Sequence, residues 1–236
     1  MTGQIRALLF DKDGTLFDFD ATWGKVTARV IDHFAPDPAL AVRLGDVAGF
    51  DLATRRFAAG SPIVAGATTE TAMAWAGLLG IGVGEIARGI DRIVAESTGP
   101  DMLAPAAPDL PGLLMGLKAE GYALGVATHD SAGNAELQLE TAGARQAFAF
   151  VAGYDSGHGL KPGPGMLLAF AEAVGVAPGV VAMIGDSIGD LQVAPNAGAA
   201  LAIGVLTGPA EEADLAPHAD HVLGSIADLP ALLRRL

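Results

Sequence analysis

The chain has 236 residues, long enough to bury a sizeable core, with room for one large domain or two small ones. Its formal charge of −13, from 27 acidic residues against 14 lysines and arginines, argues against nucleic acid or an anionic membrane as partner, because both require a basic surface. The absence of cysteine excludes disulfides, thiol catalysis and thiolate metal sites. The sequence has no signal-peptide pattern and no apolar run approaching the roughly 18 residues of a membrane span, so we expect a cytoplasmic protein.

The first predicted strand, residues 5–10, is an apolar run that ends in Asp11, Lys12, Asp13 and Gly14. Two carboxylates at the carboxyl end of a strand are costly unless a cation or a bound group compensates them. In open α/β sheets, that end of the strand is where ligands bind. One carboxylate can act there as a nucleophile, and a second one two residues on can serve as general acid and base. A plain Asp-Gly turn is the alternative interpretation.

A segment with helical periodicity and almost no strand signal follows this motif. Apolar residues recur at three- and four-residue intervals between residues 23 and 34, which predicts an amphipathic helix. Asp37 followed by Pro38 predicts a helix N-cap with proline at the first helical position. Residues 71–79 and 85–94 predict two more helices.

These helices predict a domain inserted into the sheet. We expect an all-helical cap domain over residues 18–97 and a core domain formed by residues 1–17 and 98–236. The cap would be mobile over the ligand edge of the sheet, with residues 98–101 (Thr-Gly-Pro-Asp) as the hinge.

From about residue 105 onward, short apolar runs without polar alternation predict buried parallel strands, and helical patterns separate them. The predicted strands are residues 122–128, 148–152, 180–185, 200–205 and, at the edge, 221–223. The predicted helices are residues 110–120, 132–142 and 166–174. Together with the first strand, this alternation predicts an α/β fold with a doubly wound, Rossmann-like parallel sheet.

Three later segments place polar groups at strand ends or in adjoining loops. Thr128 ends a predicted strand and His129 follows it, at a place where a hydroxyl and free N–H groups can hold a phosphate oxygen or, alternatively, cap a helix. Lys161, in a loop rich in proline and glycine, can neutralise a nucleophilic carboxylate, although a solvated lysine is the commoner case. Asp186 and Asp190 follow the strand at 180–185, and several carboxylates without a thiol or a histidine cluster favour a hard cation, most simply Mg²⁺. For Asp190, a first-turn acid favoured by the helix dipole is the alternative.

In combination, these segments resemble the motifs of the haloacid dehalogenase-like hydrolase superfamily. The carriers are Asp11-Lys12-Asp13-Gly14-Thr15, Thr128, Lys161-Pro162 and Gly185-Asp186-Ser187-Ile188-Gly189-Asp190, spread over about residues 8 to 190. The helical insertion after the first motif is similar to the C1-type cap of phosphoglycolate phosphatase-like members. Two positions depart from the commonest pattern: Lys12 stands where an apolar residue is usual, and His129 where asparagine is frequent.

The resemblance implies a role for each of these residues. Asp11 would be the nucleophile and Asp13 the general acid and base. Lys161 would stabilise the negative charges of the nucleophile and the phosphoryl group. Thr128 would bind the phosphate. The implied substrate-binding residues are Thr128, His129 and Gly14. The implied Mg²⁺ ligands are Asp11, Asp13 through its backbone carbonyl, Asp186 and Asp190, the last directly or as a support for the other ligands.

The predicted function is that of a Mg²⁺-dependent phosphatase, which hydrolyses a small phosphorylated metabolite (phosphoglycolate or a sugar phosphate) through an aspartyl-phosphate. A phosphomutase of the same superfamily would use the same residues, and a non-catalytic phospho-acceptor or binding protein is the alternative from another class. A haloacid dehalogenase is disfavoured, because it would not need Asp13 together with a set of metal-binding acids. The expected partner is the small metabolite, with the oligomeric state left open. Arg55 and Arg56 of the cap are candidates for a second anionic group, although a solvated surface is the favoured interpretation.

Overall fold

The computed structural model describes residues 5–58, 61, 68–97 and 102–236. The chain divides into two compact units, one of Met1–Asp18 with Pro105–Leu236 and one of Phe19–Ala104. Residues 98–101, the predicted hinge, lie outside the described residues. Among the helices that are described, none is both long enough and apolar enough to cross a membrane.

The described residues form strands and α-helices with the following bounds. The strands are β1 (Ala7–Phe10), β2 (Phe50–Asp51), β3 (Arg56–Phe57), β4 (Ala123–Ala127), β5 (Phe150–Ala152), β6 (Val181–Gly185), β7 (Leu201–Val205) and β8 (His221–Leu223). The α-helices are α1 (Phe19–Phe34), α2 (Pro38–Ala48), α3 (Thr68–Leu79), α4 (Val83–Glu96), α5 (Leu110–Ala119), α6 (Ala132–Thr141), α7 (Gly165–Ala173), α8 (Ile188–Ala197), α9 (Glu212–Leu215) and α10 (Leu229–Leu233).

A six-stranded sheet forms the centre of the first unit, in the order β5–β4–β1–β6–β7–β8, and every neighbouring pair is parallel. Every residue of β1 and β6 is buried, as expected for apolar runs without alternation. The predicted strands are confirmed, each within two residues at either end, and the three predicted helices of this unit within one residue. The prediction of a doubly wound, Rossmann-like α/β fold is therefore correct.

The strand order reverses at β1, and this places the site. The chain builds β4 and β5 on one side of β1, then returns to build β6, β7 and β8 on the other side. Phe10, the last residue of β1, lies in register with Val126 of β4 and Ile184 of β6. Because the three strands run parallel, the residues that follow them emerge at one edge, at the switch point where ligands bind in such folds.

The second unit is mainly helical and has an apolar core of its own. The Asp37 side chain accepts hydrogen bonds from the backbone N–H groups of Ala39 and Leu40, so the predicted N-cap of α2 is confirmed. Trp75 of α3 is fully buried, and its Nε1 donates to the carbonyl oxygen of Leu44 over 3.0 Å.

This unit also contains a small antiparallel pair of strands, β2 and β3, within the region expected to be all-helical. The Oδ1 atom of Asp51 accepts hydrogen bonds from the N–H groups of Ala53 and Thr54 in the connecting turn, and Arg55 has a positive φ of 57°. The exposed Arg56 side chain pairs with Asp20, with Nε and Oδ2 3.1 Å apart. A two-residue strand has no measurable periodicity, which explains why the sequence did not predict it.

Candidate active site

Asp11 and Lys161 form a buried ion pair at the carboxyl end of β1. The backbone N–H of Asp11 donates to the carbonyl oxygen of Ile184 over 2.8 Å, which fixes the start of the loop against β6. The Lys161 ammonium donates to Asp11 Oδ1 and, over 3.1 Å, to the carbonyl oxygen of Ala127 at the end of β4. Lys161 is only 7% exposed, so the alternative of a solvated surface lysine is wrong.

Asp190 contributes to this site and to a helix terminus at the same time. Its Oδ2 accepts hydrogen bonds from the hydroxyl of Ser187 (2.6 Å) and from the Ser187 backbone N–H (3.1 Å), which completes a capping box at the start of α8. Its Oδ1 lies 2.6 Å from Lys161 Nζ in an ion pair, without the geometry of a hydrogen bond. Asp190 is thus an acid in the first turn of α8, which was the alternative interpretation of the sequence, and its role as a metal ligand stays a prediction.

The carboxylate of Asp186 lies against two glycines. A Cβ atom on Gly14 would lie 2.3 Å from Asp186 Oδ2, and a Cβ on Gly208 would lie 1.9 Å from the same atom. Gly14 also has a φ of +85°, which glycine adopts without the strain of other residues. Thr15 donates its hydroxyl to Asp186 Oδ1 over 3.3 Å, and Thr207 donates its hydroxyl to the carbonyl oxygen of Gly14 over 2.7 Å.

Thr207 and Gly208 belong to the surroundings of the site, but the sequence analysis did not select them. They follow β7, and a Thr-Gly pair in a loop has no pattern that distinguishes it from an ordinary turn. Only the close approach to Asp186 shows that a side chain at position 208 has no room.

This close approach leads to a prediction for Gly208→Ala. The new methyl group must displace the carboxylate of Asp186, which the family resemblance implies as a Mg²⁺ ligand. If Asp186 has that role, Mg²⁺ binding should weaken at least about tenfold, in line with the usual cost of disturbing the support of a metal ligand. Isothermal titration calorimetry with Mg²⁺ measures the change. Gly133→Ala is the matched control, because a Cβ at that position of α6 meets no atom within 4 Å, and it should leave the affinity unchanged. Equal affinities in both variants would contradict the prediction.

Asp11, Asp186 and Asp190 form a buried acidic triad, in which one carboxylate oxygen from each residue lies within 4.8 Å of the others. The pKa of Asp11 is raised to about 7, mainly by burial. Lys161 lowers this pKa and Asp190 raises it further. Burial, followed by Asp11 and Asp190, raises the pKa of Asp186 well above its usual range. Asp11 and Asp190 raise the pKa of Lys161 despite its burial. Three carboxylates thus share one ammonium, and this deficit of positive charge fits a hard divalent cation.

Thr128 and His129 lie at the end of β4, as the sequence predicted. Thr128 is buried, its N–H donates to the carbonyl oxygen of Ala152, and its Oγ1 accepts a hydrogen bond from the N–H of Asp130 over 3.0 Å. His129 is exposed, and partial loss of solvent together with the nearby Lys161 lowers the pKa of its ring. Ser131, not Thr128, caps α6.

The carboxylate of Asp13 is not part of the buried acidic triad. Its Oδ2 lies 2.6 Å from the ammonium of Lys12, which is completely buried and lies 3.2 Å from Asp130 Oδ2. Lys12 also donates to the side-chain oxygen of Gln138 on α6. The sequence analysis missed Asp130 and Gln138, because nothing in a helical pattern marks which polar residue meets a buried lysine. The role of the Asp13 backbone carbonyl as a metal ligand stays a prediction.

The chain is similar in sequence to one family of known proteins. The model of the haloacid dehalogenase-like hydrolase family matches residues 5–198. The "Probable phosphatase IndB" of Dickeya dadantii is 40% identical over 113 residues, which cover 46% of this chain and 49% of that protein. A phosphoglycolate phosphatase of Rhodospirillum rubrum is 33% identical over 201 residues, which cover 82% of this chain and 76% of that protein.

A solved structure shows the same fold. The crystal structure of a predicted phosphoglycolate phosphatase from Haemophilus somnus superposes with a TM-score of 0.73 at 19% identity, over 98% of this chain and 99% of that one. At this identity the likeness concerns the fold. The match of the family model over most of the sequence shows that the chain belongs to the haloacid dehalogenase-like hydrolase family.

Proposed function

We propose that the chain is a Mg²⁺-dependent phosphatase that hydrolyses a small phosphorylated metabolite through an aspartyl-phosphate on Asp11. The observation that carries the proposal is the buried acidic triad joined to Lys161 at the end of β1, the strand at which the sheet order reverses. The name of the Rhodospirillum rubrum relative makes phosphoglycolate the first candidate, and sugar phosphates come next. Such a metabolite would be met in the cytoplasm.

The proposed reaction has two steps, each assisted by Asp13. In the first, an oxygen of Asp11 forms a bond to phosphorus while the ester oxygen leaves with a proton from Asp13. In the second, Asp13 accepts a proton from water as the water oxygen bonds to phosphorus and the bond to Asp11 breaks. The products are the alcohol and inorganic phosphate, and Asp13 returns to its starting protonation state.

The other residues of the site neutralise charge, contact the substrate and bind the metal ion. Lys161, tied to Asp11 and Asp190, keeps the nucleophilic carboxylate oriented and offsets the charge of the arriving phosphoryl group. Thr128, Gly14 and His129 are the proposed phosphate and substrate contacts. Mg²⁺ would be held by Asp11, Asp186 and the backbone carbonyl of Asp13, with Asp190 as ligand or support, and would supply positive charge that stabilises the transition state.

We further propose that residues 1–17 and 98–236 act as the core domain and that residues 18–97 act as a C1-type cap that selects the substrate. The support is the position of the mainly helical unit in the chain, directly after the loop that carries Asp11 and Asp13. Arg56 already pairs with Asp20 in that unit, so a role in substrate binding would require this exposed ion pair to open.

The test is release of inorganic phosphate from a panel of phosphate esters, with Mg²⁺ and with a chelator. The panel contains phosphoglycolate, common sugar phosphates and an aryl phosphate. Mg²⁺-dependent, stoichiometric release that is fastest with one metabolite supports the proposal and names its substrate. Conversion of a sugar phosphate into its isomer without phosphate release would point to a phosphomutase. A covalent phosphoprotein that never turns over would point to a phospho-acceptor, and the phosphatase proposal fails in both cases.

Metal binding should depend on pH in a direction set by the acidic triad. Because folding raises the pKa of Asp11 to about 7, the metal-free protein binds extra protons and loses stability as the pH rises from about 5.5 to 8. Mg²⁺ must displace those protons, so we expect it to raise the melting temperature more at about pH 8 than at about pH 5.5. Differential scanning fluorimetry measures both shifts, with Asp186→Asn as the control that removes a proposed ligand. A shift that is equal or larger at the lower pH would contradict this prediction.

A further inference from the structure

The completely buried Lys12 needs an explanation of its own. It stands between Asp11 and Asp13, where the family resemblance leads us to expect an apolar residue, and none of its side chain is exposed. Burying an ammonium costs several kcal/mol unless charge and hydrogen bonds compensate it. The site already has a lysine for the nucleophile, because Lys161 pairs with Asp11 and Asp190.

Lys12 has a separate and complete set of partners. An ammonium carries three N–H donors, and three acceptors surround this one: Asp13 Oδ2 at 2.6 Å, Asp130 Oδ2 at 3.2 Å and the side-chain oxygen of Gln138. The Coulombic attraction of Asp13 and Asp130 outweighs the burial and raises the pKa of Lys12. Two carboxylates and an amide oxygen therefore satisfy the Lys12 ammonium without the acidic triad.

The partners of Lys12 are themselves firmly held. Asp130 accepts hydrogen bonds from the Ser131 N–H (2.7 Å) and from the side-chain amide of Asn134, both at the start of α6. The backbone N–H of Asp130 donates to Thr128 Oγ1. Gln138 is buried one turn further along the same helix. Lys12 consequently connects Asp13 to α6 and, through Asp130, to Thr128, the residue that would bind the phosphate.

We propose that Lys12 is a positioning residue, whose ammonium ties the Asp13 carboxylate to Asp130 and Gln138 and thereby fixes it for proton transfer. This inference rests on the proposed function, since it assigns Lys12 to the residue that would serve as general acid and base. A displacement of about 1 Å in a catalytic group can cost about 100-fold in rate, so this ion pair matters although Lys12 acts only through Asp13.

The test uses Lys12→Met and an aryl phosphate with a very acidic phenol, such as dinitrophenyl phosphate. Release of the phenolate is measured by stopped-flow absorbance in the presence of Mg²⁺. The phenolate leaves without a proton, so the first step needs no acid, whereas attack of water in the second step needs the base. We expect a burst of about one phenolate per enzyme at a rate within about threefold of the wild type. Steady-state turnover should then be at least about tenfold slower than that of the wild type. With an alkyl phosphate, kcat should fall by about 10- to 100-fold while KM changes little.

Two further variants make the result decisive. Lys118→Met removes an exposed lysine whose ammonium donates to the Gln146 carbonyl oxygen, and it should behave as the wild type. Gln138→Met keeps both charges but removes one acceptor, so it should show the same burst with a milder loss, and it decides the question if Lys12→Met does not fold.

Unchanged steady-state turnover in Lys12→Met, or in Gln138→Met if Lys12→Met does not fold, would overturn the role of Lys12. A burst that is slowed as much as the steady-state turnover would also overturn it, because a merely structural defect slows both steps. Failure of the wild-type protein to release phosphate from any ester would instead refute the proposed function. The two failures are therefore distinguishable.

Discussion

Asp11→Asn should abolish turnover, with a loss of about 10⁴-fold or more in kcat for the best phosphate ester. The amide nitrogen and oxygen of asparagine cannot form the acyl phosphate that the proposed mechanism requires, and removal of a nucleophile typically leaves only residual catalysis. The measurement is steady-state phosphate release, together with mass spectrometry of acid-quenched enzyme for the phosphorylated peptide. The wild type should show the adduct on Asp11, and the variant should show none.

Stability separates this effect from misfolding. In the metal-free protein three buried carboxylates share the ammonium of Lys161, so neutralising one of them removes a buried charge while Lys161 keeps Asp190 as partner. We therefore expect Asp11→Asn to melt at the same temperature as the metal-free wild type or higher. Asp46→Asn, on the exposed face of α2, is the matched control and should retain full activity. Turnover at the wild-type rate in Asp11→Asn would refute the covalent mechanism.

Lys161→Met should damage both stability and activity. It leaves the acidic triad without its cation, and removing one partner of a buried ion pair typically costs about 3–5 kcal/mol in the free energy of unfolding. Activity should fall by about 100- to 1000-fold, as for other groups that stabilise charge in the transition state. Urea denaturation of the metal-free proteins and steady-state kinetics with Mg²⁺ measure the two effects.

The loss of stability should depend on pH and on the metal. Near pH 5.5 the raised pKa of Asp11 keeps that carboxyl protonated, so the missing ammonium costs less than near pH 8. Mg²⁺ near pH 8 should restore part of the stability, since it supplies positive charge to the same carboxylates. Lys118→Met again controls for the loss of a lysine. A pH-independent loss that Mg²⁺ does not reduce would show that Lys161 contributes packing and not charge.

Much of the sheet could be predicted because its signals are local. Residues 181–185 form a continuous apolar run that ends in Gly185 and Asp186, and a buried parallel strand requires that composition. Since parallel strands end at one edge, the same pattern also predicted that Asp11 and Asp186 would meet. For Lys161 the loop sequence alone favoured a solvated position, and only the family resemblance implied a place in the site. The structure brings Asp11 and Asp186 together with Asp190, and Lys161 pairs with Asp11.

What could not be predicted depends on contacts between distant parts of the chain. Lys12 was recognised as unusual, but its partner Gln138 lies 126 positions away and has no sequence signal of that role. Gly208 resembles any loop glycine until its approach to Asp186 is known. The short strands β2 and β3 fall below the length at which periodicity can be read.

The central position of β1 has a consequence for the order of folding. During translation β1 is made before its two neighbours in the sheet, which begin only at Ala123 and Val181, after the whole helical unit. Closing such long loops carries an entropic cost and makes this pairing slow compared with local helix formation. The nascent β1 must therefore wait as an unpaired apolar segment, a state prone to aggregation, while the helical unit can already assemble its own core. Completion of the site is thus among the last events of folding, since Asp186 and Asp190 follow the strand that completes the pairing of β1.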